Sequence, residues 1–297
     1  MTGRILDGRA TAIASYDDIA RGVSQFLEEH GRRPLLATVL VGDDPASHTY
    51  VSMKANRCAD VGILSRRIEL GADVTTDDLV AVISRLSRDD EVDGILLQHP
   101  VPGHVDERAA FEAIAPGKDV DGVTRTSFAR MSFGEDGFSS ATPGGIIALL
   151  DAHGVEVAGR HAVVVGRSAI LGRPVGMMLL ARHATVTFCH SRTVDLADHV
   201  SRADLVVAAV GRPELIRGEW IKPGAVVVDA GYNPGNIGDV DFEAARERAS
   251  WITPVPGGVG PMTIATLLRQ TLRAAVDHEE QRHQRRTGAA LTDAVVG

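Results

Sequence analysis

Apolar positions along the first 125 residues fall into two alternating kinds of segment. Short runs dense in aliphatic residues, LLATVLV (35–41), ILSRRIEL (63–70) and VDGILLQ (92–98), predict strands. Between them, ASHTYVSMKANRCADVG and TTDDLVAVISRLSRDD carry helical periodicity and predict helices. Strand, helix, strand in this order predicts parallel strands joined by right-handed crossovers. Thr76, followed by acidic residues, predicts the start of the second helix, because an N-cap oxygen and first-turn carboxylates satisfy free amides. The stretch TRTSFARMSFGEDGFSSA (124–141) mixes polarities and predicts an irregular loop leading to a linking helix, GGIIALLDAHG.

A second alternation begins at residue 160. HAVVVG predicts a buried strand, followed by a glycine-bearing turn and the helix PVGMMLLARH. ATVTFCH, ADLVVAAVG and GAVVVDAG predict three more strands. The last periodic segment, PMTIATLLRQTLRAAVDHEE, predicts a long helix that returns to the first domain. The class is α/β, with two domains. Residues 288–297 are rich in alanine and glycine, and a disordered tail is expected there.

Composition narrows the function. With 297 residues, 44% of them hydrophobic, the chain can bury two cores. No run approaches the ~18 consecutive apolar residues of a membrane span, so no membrane partner is expected. The start, MTGRILDGRA, lacks the apolar core of a secretory signal. Cys58 and Cys189 match no metal or redox spacing, the histidines are dispersed, and the expectation is a cytoplasmic protein without a metal site. A formal charge of -8 argues against nucleic acid as a partner. Of 31 basic residues only three are lysine: Lys54, Lys118 and Lys222. Arginine keeps its proton, whereas a desolvated lysine can become a neutral base, so these three are candidates for proton transfer.

After HAVVV comes Gly166-Arg167-Ser168-Ala169-Ile170-Leu171-Gly172-Arg173-Pro174. Such a turn from strand to helix brings backbone amides and a helix N-terminus toward a pyrophosphate. Ser168 stands where the usual fingerprint has its middle glycine, and an ordinary strand-to-helix turn is the alternative. The next strand ends at Cys189-His190-Ser191-Arg192, where a NAD site would carry an acid for the ribose hydroxyls. With no acid there, Ser191, Arg192 and Arg167 suit a 2′-phosphate, which points to NADP; solvated surface arginines are the alternative.

Several ordered segments together resemble the bifunctional methylenetetrahydrofolate dehydrogenase/methenyltetrahydrofolate cyclohydrolase family. They are VGDDPASHTYVSMKANRCADVGI, DGILLQHPVP, PGKDVDG, TPGGI, VVVGRSAILGRPVG, ATVTFCHSRT, GDVDF and ITPVPGGVGPMT, spanning roughly residues 40 to 265. The resemblance implies a folate and catalytic domain at 1–143 plus 264–287, a Rossmann-like NADP domain at 144–263, long connecting helices and a homodimer. It implies oxidation of 5,10-methylenetetrahydrofolate with NADP and hydrolysis of the methenyl product to 10-formyltetrahydrofolate. The substrate is expected between the domains.

The family's active-site lysine falls on Lys54. Tyr50 lies four residues earlier, so on a helix the two share a face, a ring against the pterin and an amine near the one-carbon bridge. Proton transfer by Lys54 calls for a lowered pKa. The resemblance assigns Gln98 to hold and tune the lysine, and Asp121, in Lys118-Asp119-Val120-Asp121-Gly122, to the donor edge of the pterin. Ser47 is expected to support the lysine or to cap its helix. Gly258 and Pro261, in the segment 254–261, are expected against the substrate, with Pro261 in the first turn of the last helix. Thr263 is expected near the cofactor. For Lys54 the alternative is a solvent-facing helix lysine, for Gln98 a polar strand end, and for Asp121 a turn aspartate before glycine.

Three departures from the family pattern stand out. His99 follows Gln98 where leucine is usual. Ser140-Ala141-Thr142-Pro143 replaces Pro-Cys-Thr-Pro, and an asparagine usual after DVDG is missing from VTRTSFARM. These leave room for a dehydrogenase with weak hydrolysis, or for a non-catalytic folate- or NADP-binding regulator. A two-domain dehydrogenase for another small acid fits the Tyr50/Lys54 and DVDG segments less well.

Overall fold

The computed structural model describes residues 2–296; the side chains of Ala46 and of residues 286–296, where the tail was expected, lie outside the described residues. In chain order the elements begin with β1 (Arg4–Ile5), α1 (Gly8–His30), β2 (Leu35–Val41), α2 (Pro45–Val61) and β3 (Leu64–Leu70). They continue with α3 (Thr76–Arg88), β4 (Gly94–Leu97), α4 (Glu107–Glu112), α5 (Arg125–Phe133) and α6 (Ala141–Ala152). β5 (His161–Val165), α7 (Gly172–Ala181), β6 (Thr185–Cys189), α8 (Leu196–Ser201) and β7 (Leu205–Ala208) follow. β8 (Val226–Asp229), α9 (Phe242–Arg248), β9 (Trp251–Ile252) and α10 (Val259–Val296) complete the order.

The chain forms two compact units, one of residues 1–15 and 126–266, the other of 16–125 and 267–297. Residues 1–15 and 126–143, which the sequence reading assigned to the folate domain, therefore belong to the unit of the second alternation. α1 and α10 each begin in one unit and end in the other.

The unit of 16–125 and 267–297 holds a parallel sheet of order β3-β2-β4. β2 is central and buried along nearly its whole length, which is why it reads as an aliphatic run broken only by Thr38. α3 turns Leu79, Ile83 and Leu86 inward at helical spacing. Its N-cap is Thr75, whose hydroxyl accepts the Asp78 amide at 3.1 Å, one residue before the expected Thr76. Asp93, fully buried just before β4, is gripped from the α1–β2 connection and from α10. Arg32 donates to both its oxygens at 2.8 and 2.9 Å, and His278 Nδ1 of α10 lies 3.2 Å away. Arg32 also donates to Glu279 of α10 at 2.6 Å.

The other unit holds a parallel six-stranded sheet of order β1-β9-β8-β7-β5-β6. Its core is aliphatic, built from residues such as Val163, Val165, Val206, Ile216, Val227 and Ile252. From β5 the chain runs out to β6 and returns across β5 to β7, so the strand order reverses between β5 and β7. In open α/β sheets ligands bind outside the carboxyl ends of strands at such a reversal.

The irregular loop expected over 124–141 is in part a helix, α5. Its polarity runs against its burial: Ser127 is buried while Phe133 is 79% exposed, so the pattern conceals the helix. α6 starts at Ala141, three residues before the predicted GGIIALLDAHG. Among the described residues no helix is long and apolar enough to cross a membrane.

Candidate active site

α2 supplies the lysine. The helix is started by Asp44, whose carboxylate accepts the Ser47 amide at 2.8 Å, and it stops at Gly62 with φ of 82°. Ser47 is thus a buried residue of the first turn and is not the cap, because the longer Asp44 side chain reaches its amide. Tyr50 and Lys54 lie one turn apart, both half-buried. Lys54 Nζ donates to Gln98 Oε1 at 3.0 Å. Gln98 follows the last residue of β4, is 8% exposed, and is held at both ends of its peptide and side chain. Its backbone N–H donates to Val39 O at 2.9 Å, and its Nε2 donates to His99 O at 2.8 Å. The second contact presents the amide oxygen to the lysine.

Electrostatics around this pair are unusual. Desolvation pulls the Lys54 pKa below the ordinary lysine value, opposed by the negative charge of Asp121. Burial pushes Asp121 up to about 6, opposed by Lys54 and reinforced by Asp119. Cys58, one turn beyond Lys54, is buried and pushed to about 12 by desolvation, so it stays a thiol. The loop bearing Asp121 is fixed from below by Asp119, which is fully buried and accepts Val123 N at 3.0 Å and Thr124 N at 2.9 Å. Lys118, also buried, donates to Asp89 O at 2.6 Å and Leu86 O at 3.3 Å, closing the end of α3. The three scarce lysines thus stand in three different settings, Lys54 beside Gln98, Lys118 at the end of α3, and Lys222 as an exposed partner of Asp204 at 2.7 Å.

The other unit gathers the nucleotide candidates. Gly166 takes φ of 135°, and a Cβ there would sit 2.2 Å from Ala209 O, so the turn closes only with glycine. A Cβ on Gly172 would meet Gly166 O at 2.5 Å, so α7 begins directly against the turn. Ser168 Oγ accepts the amides of Leu171 and Gly172 at 3.1 and 3.2 Å, which leaves its own proton to donate outward. Gly166 N donates to Cys189 O at 2.9 Å, setting the ends of β5 and β6 side by side. Arg167, Ser191 and Arg192 are exposed on these two neighbouring turns. The set has two guanidinium groups and two hydroxyls and no carboxylate, which fits a phosphate-bearing ribose.

Gly258 closes a turn through its amide to Pro254 O at 2.9 Å, and Pro261 lies in the first turn of α10. Thr263 is half-buried, with Oγ1 3.2 Å from Thr142 Oγ1. The fold thus brings Lys54 and Gln98 into contact and Asp121 into their field. It brings Gly166, Arg167, Ser168, Gly172, Ser191 and Arg192 to adjacent strand ends.

Comparison with known proteins decides the family. The model described as tetrahydrofolate dehydrogenase/cyclohydrolase, catalytic domain, matches residues 6–121, and its NAD(P)-binding domain matches residues 140–279. The chain belongs to the tetrahydrofolate dehydrogenase/cyclohydrolase family. A relative named bifunctional protein FolD 1, from Salinispora arenicola, is 66% identical over 278 residues, covering 94% of this chain and 100% of the relative. The solved bifunctional FolD enzyme of Campylobacter jejuni is 43% identical, with a TM-score of 0.89, covering 92% of this chain and 98% of that one. A Trypanosoma brucei methylenetetrahydrofolate dehydrogenase-cyclohydrolase, solved with NADP cofactor and inhibitor, is 38% identical, with a TM-score of 0.90 over 93% and 98%.

Within this tetrahydrofolate dehydrogenase/cyclohydrolase chain the departure at His99 leaves the backbone contact that holds Gln98 in place. Gln98 is tied to the backbone carbonyl of His99, which any residue supplies. The imidazole lies edge-on to Phe111, ring centroids 6.3 Å apart, and burial and the Lys54 charge hold its pKa below the ordinary histidine value. Residues missed from sequence are the buried supports: Asp119, and the pair Asp229, at the end of β8, and Asp239 after it. The first was visible as the other aspartate of KDVDG; the pair is formed only by tertiary contact.

Proposed function

We propose that the chain oxidises 5,10-methylenetetrahydrofolate and hydrolyses the resulting methenyl compound to 10-formyltetrahydrofolate, with Lys54 as the proton-transfer residue. The contact between Lys54 and Gln98, beside an Asp121 of raised pKa, carries this reading. NADP, when bound, accepts the hydride that leaves the methylene bridge. Gly166, Ser168 and Gly172 supply its amide-lined turn, and Arg167, Ser191 and Arg192 hold its 2′-phosphate.

Hydrolysis falls to the residues of the other unit. Asp121, largely ionised at neutral pH, accepts from the amino group and ring N–H of the pterin. Tyr50 lies along the pterin face, one helical turn from the lysine. Desolvation leaves Lys54 able to exist as a neutral amine, so it takes a proton from the water that adds to the methenyl carbon. The ammonium then returns that proton to N5 as the bond from carbon to N5 breaks, while the new hydroxyl loses its proton to solvent and becomes the formyl oxygen. Gln98 keeps Nζ aimed throughout.

The reading includes a homodimer, as the family resemblance implies, and the cytoplasmic location that the cysteine usage suggests; sedimentation at twice the chain mass of 31.5 kDa checks the assembly. Purified protein should form methenyltetrahydrofolate with NADP in preference to NAD, and should consume methenyltetrahydrofolate added alone. Formation without consumption would favour a dehydrogenase lacking useful hydrolysis. Neither activity in folded protein would overturn the reading.

A further inference from the structure

Asp239 is fully buried, and within its unit no cation pairs with it among the described contacts; backbone and amide N–H groups surround it instead. Its Oδ2 accepts the amides of Val210 and Gly211 at 2.6 and 2.9 Å. Its Oδ1 accepts the Arg212 amide at 2.8 Å and Asn233 Nδ2 at 3.1 Å. A buried carboxylate is costly unless its oxygens are fully bonded, and here four N–H donors do this. Three of those donors, Val210, Gly211 and Arg212, belong to a single irregular turn, residues 209–212, which directly follows β7.

That turn borders the nucleotide loop. Ala209, its first residue, donates to Val165 O at 2.8 Å, and its carbonyl is the atom that a Cβ on Gly166 would strike. The turns after β5 and β7 flank the point where strand order reverses, the place open α/β sheets use for ligands. Asp239 is itself anchored. Its amide donates to Asp229 Oδ1 at 3.0 Å, and Asp229 also accepts Gly231 N and Val240 N at 2.9 Å each. Gly231 passes so close that a Cβ there would lie 2.2 Å from the Asp239 carboxyl carbon. Two aspartates at and after β8 therefore order the turn after β7, and through it the seat of Gly166.

We propose that Asp239 is a positioning residue of the NADP site, acting through the 209–212 turn on the Gly166 turn. This rests on the bifunctional reading above for its cofactor. Asn is isosteric with Asp, but it presents N–H to donors on one side, so Asp239→Asn breaks the cradle without changing its volume. In the full chain, Asp239→Asn should raise the KM and the Kd for NADP by about tenfold or more. Methenyltetrahydrofolate hydrolysis, which needs no cofactor, should change by less than about twofold, a split that a general loss of structure does not produce.

An NADP KM and Kd within about twofold of the parent, in a variant that still hydrolyses methenyltetrahydrofolate, would overturn the proposal. If Asp239→Asn loses both activities and its cooperative unfolding, Asn233→Ala decides, since it removes one donor from Oδ1. An NADP Kd raised about threefold or more supports the positioning role, and an unchanged one overturns it. Calorimetric titration of NADP reads the cradle directly. A parent protein that binds NADP but lacks both activities would refute the bifunctional reading and leave this test standing.

Discussion

The ammonium of Lys54 lies 3.0 Å from the amide oxygen of Gln98, while the amide nitrogen of Gln98 is fastened to the carbonyl of His99. The glutamine cannot turn over without losing both bonds, so it offers the lysine an acceptor and never a donor. An acceptor steadies the protonated amine, and burial of α2 against the sheet destabilises it. The lysine is poised by opposing effects.

Replacing Lys54 by methionine keeps the stem and removes the proton carrier. Hydrolysis of methenyltetrahydrofolate should fall by about a thousandfold, within the range of general acid–base catalysis, while the NADP Kd stays the same. Stopped assays of methenyl loss, with titration of NADP alongside, provide the check. Residual hydrolysis at the parental rate would remove Lys54 from the mechanism.

Asp121 has a folded pKa of about 6 against an ordinary 3.8, so the folded state holds its proton longer than the unfolded chain does. Stability is therefore lost as pH rises from the ordinary carboxylate range through about 6, and the cost levels off above that. Asp121→Asn should be more stable than the parent by about 3 kcal/mol at pH 8, with the gap closing below about pH 4. Urea unfolding across that range tests it; a pH-independent difference would contradict the assignment. The same change removes the charge that raises Lys54, so the ascending limb of the hydrolysis profile, where Lys54 loses its proton, should move to lower pH.

Arg167 and Arg192 stand on the turns after β5 and β6 with no acid between them. Alanine at either position should raise the NADP KM about tenfold, the worth of one charge-assisted bond, and leave the NAD KM within about twofold. The ratio of kcat/KM for the two cofactors is the measurement. Equal losses for both would mean that the arginines meet the pyrophosphate or nothing.

Asp93 is a structural counterpart to Asp121. Burial pushes its pKa up, but the Arg32 guanidinium, His278 and the Leu35 amide outweigh that and hold it below the ordinary value. Its contribution is present above the ordinary carboxylate range and is lost as acid protonates it. Arg32→Ala leaves this carboxylate without its cation and should cost about 3 kcal/mol at pH 7, shrinking at low pH. Denaturant titration at the two pH values decides.

Much of this architecture could be read from residue pattern. The limits of β2 were legible because both its faces are buried and every position but Thr38 is aliphatic. The lysine and glutamine were legible as separate residues in recognisable segments, although their contact spans 44 residues and no periodicity encodes it. β1 and β9 were illegible, since each is two residues long and they find each other across the chain, Arg4 with Trp251. α5 was hidden by a buried serine and an exposed phenylalanine. α1 went unassigned, although Ala12, Ile19, Val23 and Phe26 line its buried side, because charged residues and Gly22 break up the stripe. The carboxylate supports Asp119, Asp229 and Asp239 resemble any turn aspartates until their amide partners are seen.

The interleaving of the two units has a consequence for synthesis. By the time residue 266 has been added, the unit with the six-stranded sheet has all its parts. The unit bearing Lys54, Gln98 and Asp121 still lacks everything from residue 267 on, including the His278 and Glu279 that meet Asp93 and Arg32. The half translated first is thus completed last, and on the ribosome Asp93 already has Arg32 and the Leu35 amide but waits for His278, which emerges only with the final helix.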